Sequence, residues 1–331
     1  MKITGPFLFI LVTLMIDAIG IGIVFPIMPD LMDRVGASST AEGAFWGGVM
    51  MSAYAATMFL FGPVIGSLSD AFGRRPVLIA ALVTLTLDYV LMALTQEYWV
   101  LLVGRIIAGG AGATYITATA YISDISKPRE RGAAFGMIGA AFGLGFIIGP
   151  AIGGFFGEMN VRLPFYIAAG LTFANFVFGW FFVPESLAPE NRRPINLAKM
   201  IPGVSLVSLR NYKGVLLLIL AFFLANLAGQ ALPSTWSYYG IERYDWSPME
   251  IGVSLMVVGA LVAIVQGFLV GAFVKRFGKR KAIIYGFLFW TIGMFLFALA
   301  TEPWMLYAFL IPYAFGGIAG PTVQGVISNE V

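Results

Sequence analysis

Ten apolar runs, each about 20 residues long, restrict what this chain can fold into. A helix needs roughly 20 apolar residues to cross a bilayer, so each run predicts one membrane-spanning helix. The runs cover about residues 6–27, 44–66, 76–95, 98–122, 132–156, 164–183, 214–239, 249–273, 282–300 and 303–327. Only 11% of the residues are charged, against about 25% in soluble domains. We therefore predict an all-α membrane protein with about ten transmembrane helices.

The positively charged residues predict how these helices are oriented. Sixteen of the 20 Lys and Arg residues lie at the N-terminus or in turns that follow even-numbered runs. Arg34, Arg162 and Arg243 lie in the other turns, and Arg105 lies inside a run. Because loops rich in Lys and Arg stay on the cytoplasmic side, we expect a cytoplasmic N-terminus.

A charged turn between apolar runs occurs twice, at a constant offset of 205 residues. The two copies are GSLSDAFGRRPVLI at 66–79 and GAFVKRFGKRKAII at 271–284. Gly73 matches Gly278, whereas Asp70 of the first copy is replaced by Lys275 in the second. Repeats of this kind indicate a transporter architecture built from two copies of one unit.

The repeat also predicts the domain layout. We expect an N-terminal six-helix bundle over 1–183 and a polar, proline-rich cytoplasmic linker over 184–213, which contains PESLAPENRRP. The repeat predicts six more helices, but 214–331 supplies four. We therefore expect an incomplete C-terminal bundle in a truncated chain or a partial record. The alternative is a true ten-helix protein, which would expose a polar interior.

Three charged residues, Asp17, Asp88 and Arg105, lie well inside apolar runs. Each costs roughly 2.5–3.5 kcal/mol at mid-bilayer, so such residues face a bundle interior and have partners. By helical rise, Asp88 and Arg105 both lie roughly 10 Å below the outer face, which predicts an ion pair. Asp17 lies roughly 15 Å from that face. Either Asp17 or Asp88 exchanges a proton during transport, or the three charges form a static arrangement that orders the helices.

The first copy of the repeated turn predicts a second functional element. Gly66 and Gly73 permit close approach and a tight turn. Asp70 can meet a helix dipole or an arginine there. Arg74 and Arg75 are at least topological anchors.

A few uncharged polar groups within the runs are candidates for lining a substrate cavity. They are Tyr54, Asn226, Gln230 and Gln266. Asn226 and Gln230 are one helical turn apart and are expected to share a face. Aromatic residues, 15% of the chain, suit a large planar amphipathic substrate, although most are expected to face lipid.

The fifth run contains GLGFIIGPAIGG, which is rich in glycine. Its residues Gly145, Gly149, Pro150, Gly153 and Gly154 predict a bent helix that packs closely against a neighbour. A second local signal is Ser247-Pro248-Met249-Glu250, which predicts a capping box at the start of the eighth run.

The motif G-x-L-x-D-x-x-G-R-R at 66–75 resembles the signature of the major facilitator superfamily, and GPAIGG resembles the glycine-proline motif of its drug–proton antiporters. Several stretches are similar to the tetracycline efflux proteins of Gram-negative bacteria. They are IDAIGIGIVFPIMPDL at 16–31, SDAFGRRPVL at 69–78, LDYVLMAL at 87–94, GRIIAGGAGATYITATAYISDIS at 104–126, GLGFIIGPAIGGFFGE at 143–158 and NLAGQALPSTW at 226–236. The resemblance implies a major facilitator fold of two six-helix bundles in the bacterial inner membrane, of which this chain lacks the last two helices.

The resemblance also implies roles for individual residues. Asp17, Asp88 and Arg105 match the acidic, acidic and arginine positions of helices 1, 3 and 4 in tetracycline exporters. Asp70 and Arg74 would belong to a cytoplasmic gate that stabilises the outward-facing state. The glycine motif of the fifth run would also seal the substrate cavity.

The chain departs from its relatives at two positions. Some tetracycline exporters carry a histidine in helix 8 and an aspartate in helix 9, where this chain has Val262 and Trp290. Tetracycline as the substrate is therefore open. If tetracycline is carried, a divalent cation bound to it could accompany it.

The leading functional hypothesis is a proton-coupled efflux transporter of tetracycline-like or other amphipathic drugs. The alternatives are a superfamily porter for another small metabolite, and a non-functional fragment of such a transporter. An enzyme is not expected, because the chain has no His and no Cys from which to build a catalytic or metal site. We expect no resident cofactor, no nucleic-acid partner and a monomer in the lipid bilayer.

Overall fold

The computed structural model describes residues 4–112, 114–127, 129–195, 200–201 and 213–330. Within these residues the chain is helical and contains no strand. Parts of the predicted linker, 196–199 and 202–212, lie outside the described residues, as do three of the cations in the predicted topology, Lys2, Lys199 and Arg210.

The first seven helices follow the first six predicted runs. They are α1 (Gly5–Arg34), α2 (Thr40–Phe72), α3 (Arg74–Leu94), α4 (Tyr98–Ala111), α5 (Thr114–Ile125), α6 (Arg131–Met159) and α7 (Leu163–Phe182). The fourth run is divided, because α4 ends before Gly112 and α5 begins at Thr114.

The remaining helices follow the last four runs. They are α8 (Lys213–Gly229), α9 (Ala231–Tyr244), α10 (Pro248–Ile264), α11 (Val270–Leu299), α12 (Pro303–Phe315) and α13 (Ala319–Glu330). A π-helical turn, Val265–Leu269, joins α10 to α11. Within α11 the backbone leaves helical geometry at Gly278, so α11 is two helices that meet at this glycine.

Eight helices of the described part are long and apolar enough to cross a membrane. This number is lower than ten because Pro248–Leu299 counts as one stretch of 52 residues, although it covers two predicted runs. The seventh run is absent from the eight because it is divided at Gln230 into helices of 17 and 14 residues. The number of spans therefore stays a prediction.

The chain divides into two compact units. The first comprises Met1–Val204 together with Ser247–Gly252, and the second comprises Ser205–Trp246 together with Val253–Val331.

The predicted capping box is confirmed: Ser247 N–H donates to Glu250 Oε2 at 2.9 Å, and Glu250 N–H donates to Ser247 Oγ at 3.4 Å. The capping box gives the segment Ser247–Gly252 a fixed helical start.

In the first unit, α1 lies against α6 because glycines remove the side chains between them. A Cβ on Gly145, Gly149 or Gly153 would lie within 2.6 Å of an α1 backbone oxygen. These glycines recur every four residues and form one face of α6. The next residue, Gly154, faces elsewhere: a Cβ on it would lie 2.9 Å from the Cα of Gly252, which belongs to the same unit. The glycine motif therefore packs two neighbouring backbones.

Candidate functional site

A buried ion pair lies between α3 and α4. The Arg105 guanidinium contacts the Asp88 carboxylate, with side chains 5% and 3% exposed. The Arg105 guanidinium carbon also lies 5.3 Å from the ring centre of Tyr54 and 5.5 Å from that of Tyr89. Both distances are within the range of a cation–π contact. Arg105 is therefore held by one carboxylate and two aromatic rings.

Glycines allow the helices around this pair to approach each other. A Cβ on Gly104 would lie 2.9 Å from Asp88 Oδ1, so only glycine leaves room for the carboxylate beside α4. A Cβ on Gly109 would collide with the carbonyl group of Tyr54 on α2. The same small residues that permit close packing thus position the charged groups.

Asp17 has a different environment from Asp88. It lies on α1 and lines a cavity of the first unit together with Tyr54. No ion pair of Asp17 with a cation occurs among the described residues, and its Oδ1 is buried without a hydrogen-bond partner. Asp17 is therefore a carboxylate whose charge is not balanced by a neighbouring cation.

A cavity of about 1440 Å³ in the first unit reaches Asp17. Its walls include Tyr54, Met58, Tyr115 and Phe142, so most of its surface is apolar and aromatic. Three charged side chains line it: Asp17, Asp70 and Arg193. Since Asp70 belongs to the repeated turn, one continuous space joins Asp17 to that turn. Of the predicted cavity and gate residues, the cavity includes Tyr54, Gly66 and Asp70.

The first copy of the repeated turn is built around Arg74. Its guanidinium pairs with Asp70 at 2.6 Å and with Asp124 of α5 at 3.2 Å, and it donates to Ser69 Oγ at 2.6 Å. The Arg74 side chain is only 10% exposed. Arg74 is therefore the centre of an acidic cluster rather than a free surface cation.

Glu185, just after α7, completes this cluster. Its Oε1 and Oε2 accept hydrogen bonds from the N–H groups of Arg74 and Arg75, at 2.9 and 3.1 Å, at the start of α3. Gly73 has φ 109° and ψ 160°, a conformation that only glycine adopts readily. A Cβ on Gly73 would collide with the Glu185 carboxylate. The turn is thus locked by an acid 111 residues away in sequence.

Sequence reasoning did not identify Asp124 or Glu185 as members of this cluster. Both are acids at predicted helix ends, and Glu185 belongs to the PES of the predicted linker. An acid at such a position, next to arginine-rich turns, could have suggested a pairing. It could not have shown which turn it pairs with.

The second copy has the same backbone but different electrostatics. Gly278 has φ 78° and ψ 159°, close to Gly73, and a Cβ there would meet nothing within 4 Å. The surrounding cations are exposed, and among the described residues none of them forms an ion pair. They are Lys275, Arg276, Lys279, Arg280 and Lys281.

The second unit contains a smaller cavity, of about 340 Å³. Asn226, Gln266 and Gln324 supply amides to its wall, and no charged side chain lines it. Gln266 lies in the π-helical turn, a local irregularity that often occurs at functional sites. Gln230 does not line this cavity, because it lies at the break between α8 and α9.

Val262 and Trp290, where the sequence predicts a departure from tetracycline exporters, both line this second cavity. The Trp290 side chain fits against two glycines: a Cβ on Gly229 would lie 2.6 Å from its indole, and a Cβ on Gly316 would lie 2.6 Å from its Cβ. Its ring meets Tyr313 edge-on at 6.2 Å between centroids. Trp290 is therefore a fixed aromatic wall.

Among the described residues, no cluster of acids is arranged to hold a metal ion.

The sequence is similar to one large family of membrane proteins. The family model described as Major Facilitator Superfamily matches residues 10–331. The "Tetracycline resistance protein, class C" of Escherichia coli is 41% identical over 331 residues, which is 100% of this chain and 83% of the relative. The class E protein of Escherichia coli is 40% identical over 323 residues, covering 97% and 79% of the two chains.

A solved structure has a similar fold. The crystal structure of the human organic anion transporter MFSD10 superposes with a TM-score of 0.76 at 22% sequence identity. The similarity covers 98% of this chain and 85% of that transporter. At this identity the likeness concerns the fold alone.

Proposed function

Because this chain belongs to the major facilitator superfamily, we propose that it is a proton-coupled exporter of tetracycline-like or other amphipathic drugs. In such transporters two bundles rock around a central site and expose it to each side of the membrane in turn. Relatives named as tetracycline resistance proteins, similar over the whole chain, support this choice of substrate class. Members of this family are transporters, not enzymes.

The observation that carries the proposal is the contrast between the two buried carboxylates. Asp88 is paired with Arg105, whereas Asp17 lines the cavity and forms no ion pair with a cation among the described residues. An unpaired charge inside a membrane protein is costly, and binding a proton removes that cost at Asp17. The charge of Asp88 is already compensated by Arg105. We assign the proton-coupling step to Asp17. Asp88 and Arg105 would hold α3 and α4 in place through their ion pair beside the cavity.

The repeated turn would supply the cytoplasmic gate. This gate would consist of Gly66, Asp70, Gly73, Arg74 and Arg75. The ion pairs of Arg74 with Asp70 and Asp124 support that role, because they connect α2, α3 and α5. Several such contacts can break together when helices move. Asp124 and Glu185 extend the predicted gate.

Each cavity offers groups that suit an amphipathic substrate. Tyr54 in the first cavity, and Asn226 and Gln266 in the second, offer hydrogen-bonding groups among aromatic walls. Gln230 does not line the second cavity and is assigned no substrate contact; it lies at the break between α8 and α9. The close packing of α6 on α1 supports a sealing role for the glycine motif, because the two backbones approach each other closely at Gly145, Gly149 and Gly153.

We also propose the topology predicted from the sequence. The protein would have ten membrane spans, an N-terminal bundle over 1–183, a cytoplasmic linker over 184–213 and four helices over 214–331. The N-terminus is cytoplasmic, and the protein is a monomer in the bacterial inner membrane. Protons are the coupling ion, and a divalent cation enters only if it is bound to tetracycline.

Everted membrane vesicles test the function directly. With the interior acidified, an exporter should accumulate labelled tetracycline, and a protonophore should abolish the accumulation. Vesicles without the protein provide the baseline. Accumulation no higher than this baseline would contradict export of tetracycline. Substrate driven out of the vesicles by the same gradient would indicate a proton symporter instead.

A second candidate function is a porter for another small metabolite. Val262 and Trp290 favour it, because the second cavity has no charged group. Competition by unlabelled compounds in the same vesicles separates the two functions: tetracycline-like drugs should compete if the first proposal holds. If the chain inserts but moves none of the compounds tested, the fragment hypothesis gains support over both.

A further inference from the structure

We propose that the second copy of the repeated turn binds the phosphate headgroup of an anionic phospholipid. The site, which we name the basic turn, consists of five cations around Gly278. They are Lys275, Arg276, Lys279, Arg280 and Lys281. This inference goes beyond transport, because it assigns a ligand to a part of the second unit that lines neither cavity described above.

The basic turn carries charge that the protein itself does not neutralise. All five cations are exposed, and no ion pair involves them among the described residues. In the first copy of the turn, by contrast, Arg74 is paired with Asp70 and Asp124. The same backbone turn therefore exists once with its own acids and once without.

The backbone geometry brings the five cations together. Gly278 interrupts α11, so Lys275 and Arg276 lie at the end of one helical segment and the other three lie at the start of the next. A positive φ at Gly278 turns the chain sharply at this point. The cations therefore form one cluster at a turn rather than a stripe along a helix.

An apolar surface lies beside the cations. The rings of Phe273, Phe277 and Tyr285 contact each other, with centroids 4.6 to 6.2 Å apart. Phe277 is 38% exposed, Tyr285 is 37% exposed and the adjacent Ile284 is 53% exposed. Aromatic rings of this kind lie at the level of the lipid headgroups. A ligand that fits here has an anionic head and an apolar body.

The chemistry favours a lipid over a soluble anion. Clusters of four to eight Lys and Arg residues beside a membrane-spanning helix attract anionic lipids, with about 1 kcal/mol per cation. A free phosphate would use the cations but leave the exposed rings in water. Phosphatidylglycerol would satisfy the cations with its phosphate and cover the rings with its acyl chains.

Native mass spectrometry and thermal unfolding test the site. The purified full chain is equilibrated in detergent with phosphatidylglycerol, with phosphatidylcholine, or with inorganic phosphate alone. Lys275→Gln, Lys279→Gln and Lys281→Gln are combined in one variant. The matched control combines Lys127→Gln, Arg129→Gln and Arg131→Gln, which removes three cations from another turn. A third variant, which combines Lys275→Arg, Lys279→Arg and Lys281→Arg, keeps the charge.

We expect the wild type to retain phosphatidylglycerol in preference to phosphatidylcholine and to unfold at a higher temperature with it. The glutamine variant should bind phosphatidylglycerol on the order of a hundredfold more weakly. The control and the arginine variant should bind it as the wild type does. Equal stability of all variants in phosphatidylcholine would show that the glutamine variant folds.

Three results would overturn the proposal. One is equal retention of the two lipids by the wild type. Another is equal loss of binding in the control variant, which would show a general effect of net charge. The last is full stabilisation by inorganic phosphate, which would show a site for soluble anions. None of these results bears on drug export, so the two proposals fail separately.

Discussion

Arg105 and Asp88 form an ion pair in which the two side chains are only 5% and 3% exposed. Breaking such a pair from one side leaves an uncompensated buried charge, which costs about 3–5 kcal/mol. Arg105→Gln alone should therefore destabilise the protein by about this amount, whereas Arg105→Gln combined with Asp88→Asn should recover much of the loss. Thermal unfolding of the purified protein in detergent measures both.

Glu97→Gln, which removes an exposed carboxylate, is the control for loss of one charge. It should leave the unfolding temperature unchanged. A double variant no more stable than Arg105→Gln alone would show that the guanidinium acts mainly through its contacts with Tyr54 and Tyr89.

The two turn glycines should respond differently to alanine. Gly73 and Gly278 both occupy a backbone region that costs other residues about 1–3 kcal/mol. At Gly73 the new Cβ would also displace Glu185, while at Gly278 it would meet nothing. Gly73→Ala should therefore lower the unfolding temperature more than Gly278→Ala. Equal effects would mean that the Glu185 contact contributes nothing to stability.

Glu185 should stabilise the first turn through its acceptor atoms. Its Oε1 accepts hydrogen bonds from Arg74, Ser186 and Leu187 N–H groups at 2.9 to 3.0 Å. Glu185→Ala should cost about 1–3 kcal/mol because these donors lose their partner, while Glu185→Gln, which keeps one oxygen, should cost less. Calorimetry of the two variants provides the comparison, and an identical loss in both would point to the charge instead.

The glycine face of α6 offers a matched pair of substitutions in one helix. Gly149→Ala would place a Cβ 2.6 Å from the Ile19 oxygen of α1, whereas a Cβ on Gly143 would meet nothing within 4 Å. Gly149→Ala should therefore destabilise by about 1–3 kcal/mol through overpacking. Gly143→Ala should be neutral or slightly stabilising, since alanine favours a helix. The prediction fails if Gly149→Ala unfolds at the wild-type temperature.

Some of this arrangement could be read from the sequence. Counting helical rise from the outer ends of two runs placed Asp88 and Arg105 at the same depth, and the structure pairs them. The offset between Gly73 and Gly278 predicted equivalent turns, and their backbones agree. Local periodicity and repeats carry such information because it depends on helical geometry alone.

Other parts could not be read in this way. The break in the seventh run is one example: Gln230 N–H still donates to the Asn226 carbonyl at 3.1 Å, but a new helix begins at Ala231. Pro233 explains the break, because it has no N–H to donate to the Gly229 carbonyl. The pairing of Glu185 with the first turn, 111 residues away, depends on tertiary packing, which a single sequence does not specify.

We propose that Asp17, and not Asp88, carries the coupled proton. Asp17→Asn should abolish accumulation of tetracycline driven by a pH gradient in everted vesicles, because the amide cannot exchange a proton. The same variant should still exchange bound substrate across the membrane in the absence of a gradient, which shows that it folds and binds.

The most direct test is therefore the ratio of gradient-driven accumulation to gradient-independent exchange in Asp17→Asn and in wild type, measured in the same vesicles. We predict that this ratio falls to the level seen with a protonophore while the exchange persists. Asp17→Asn vesicles that accumulate tetracycline with the wild-type ratio would contradict the assignment of proton coupling to Asp17.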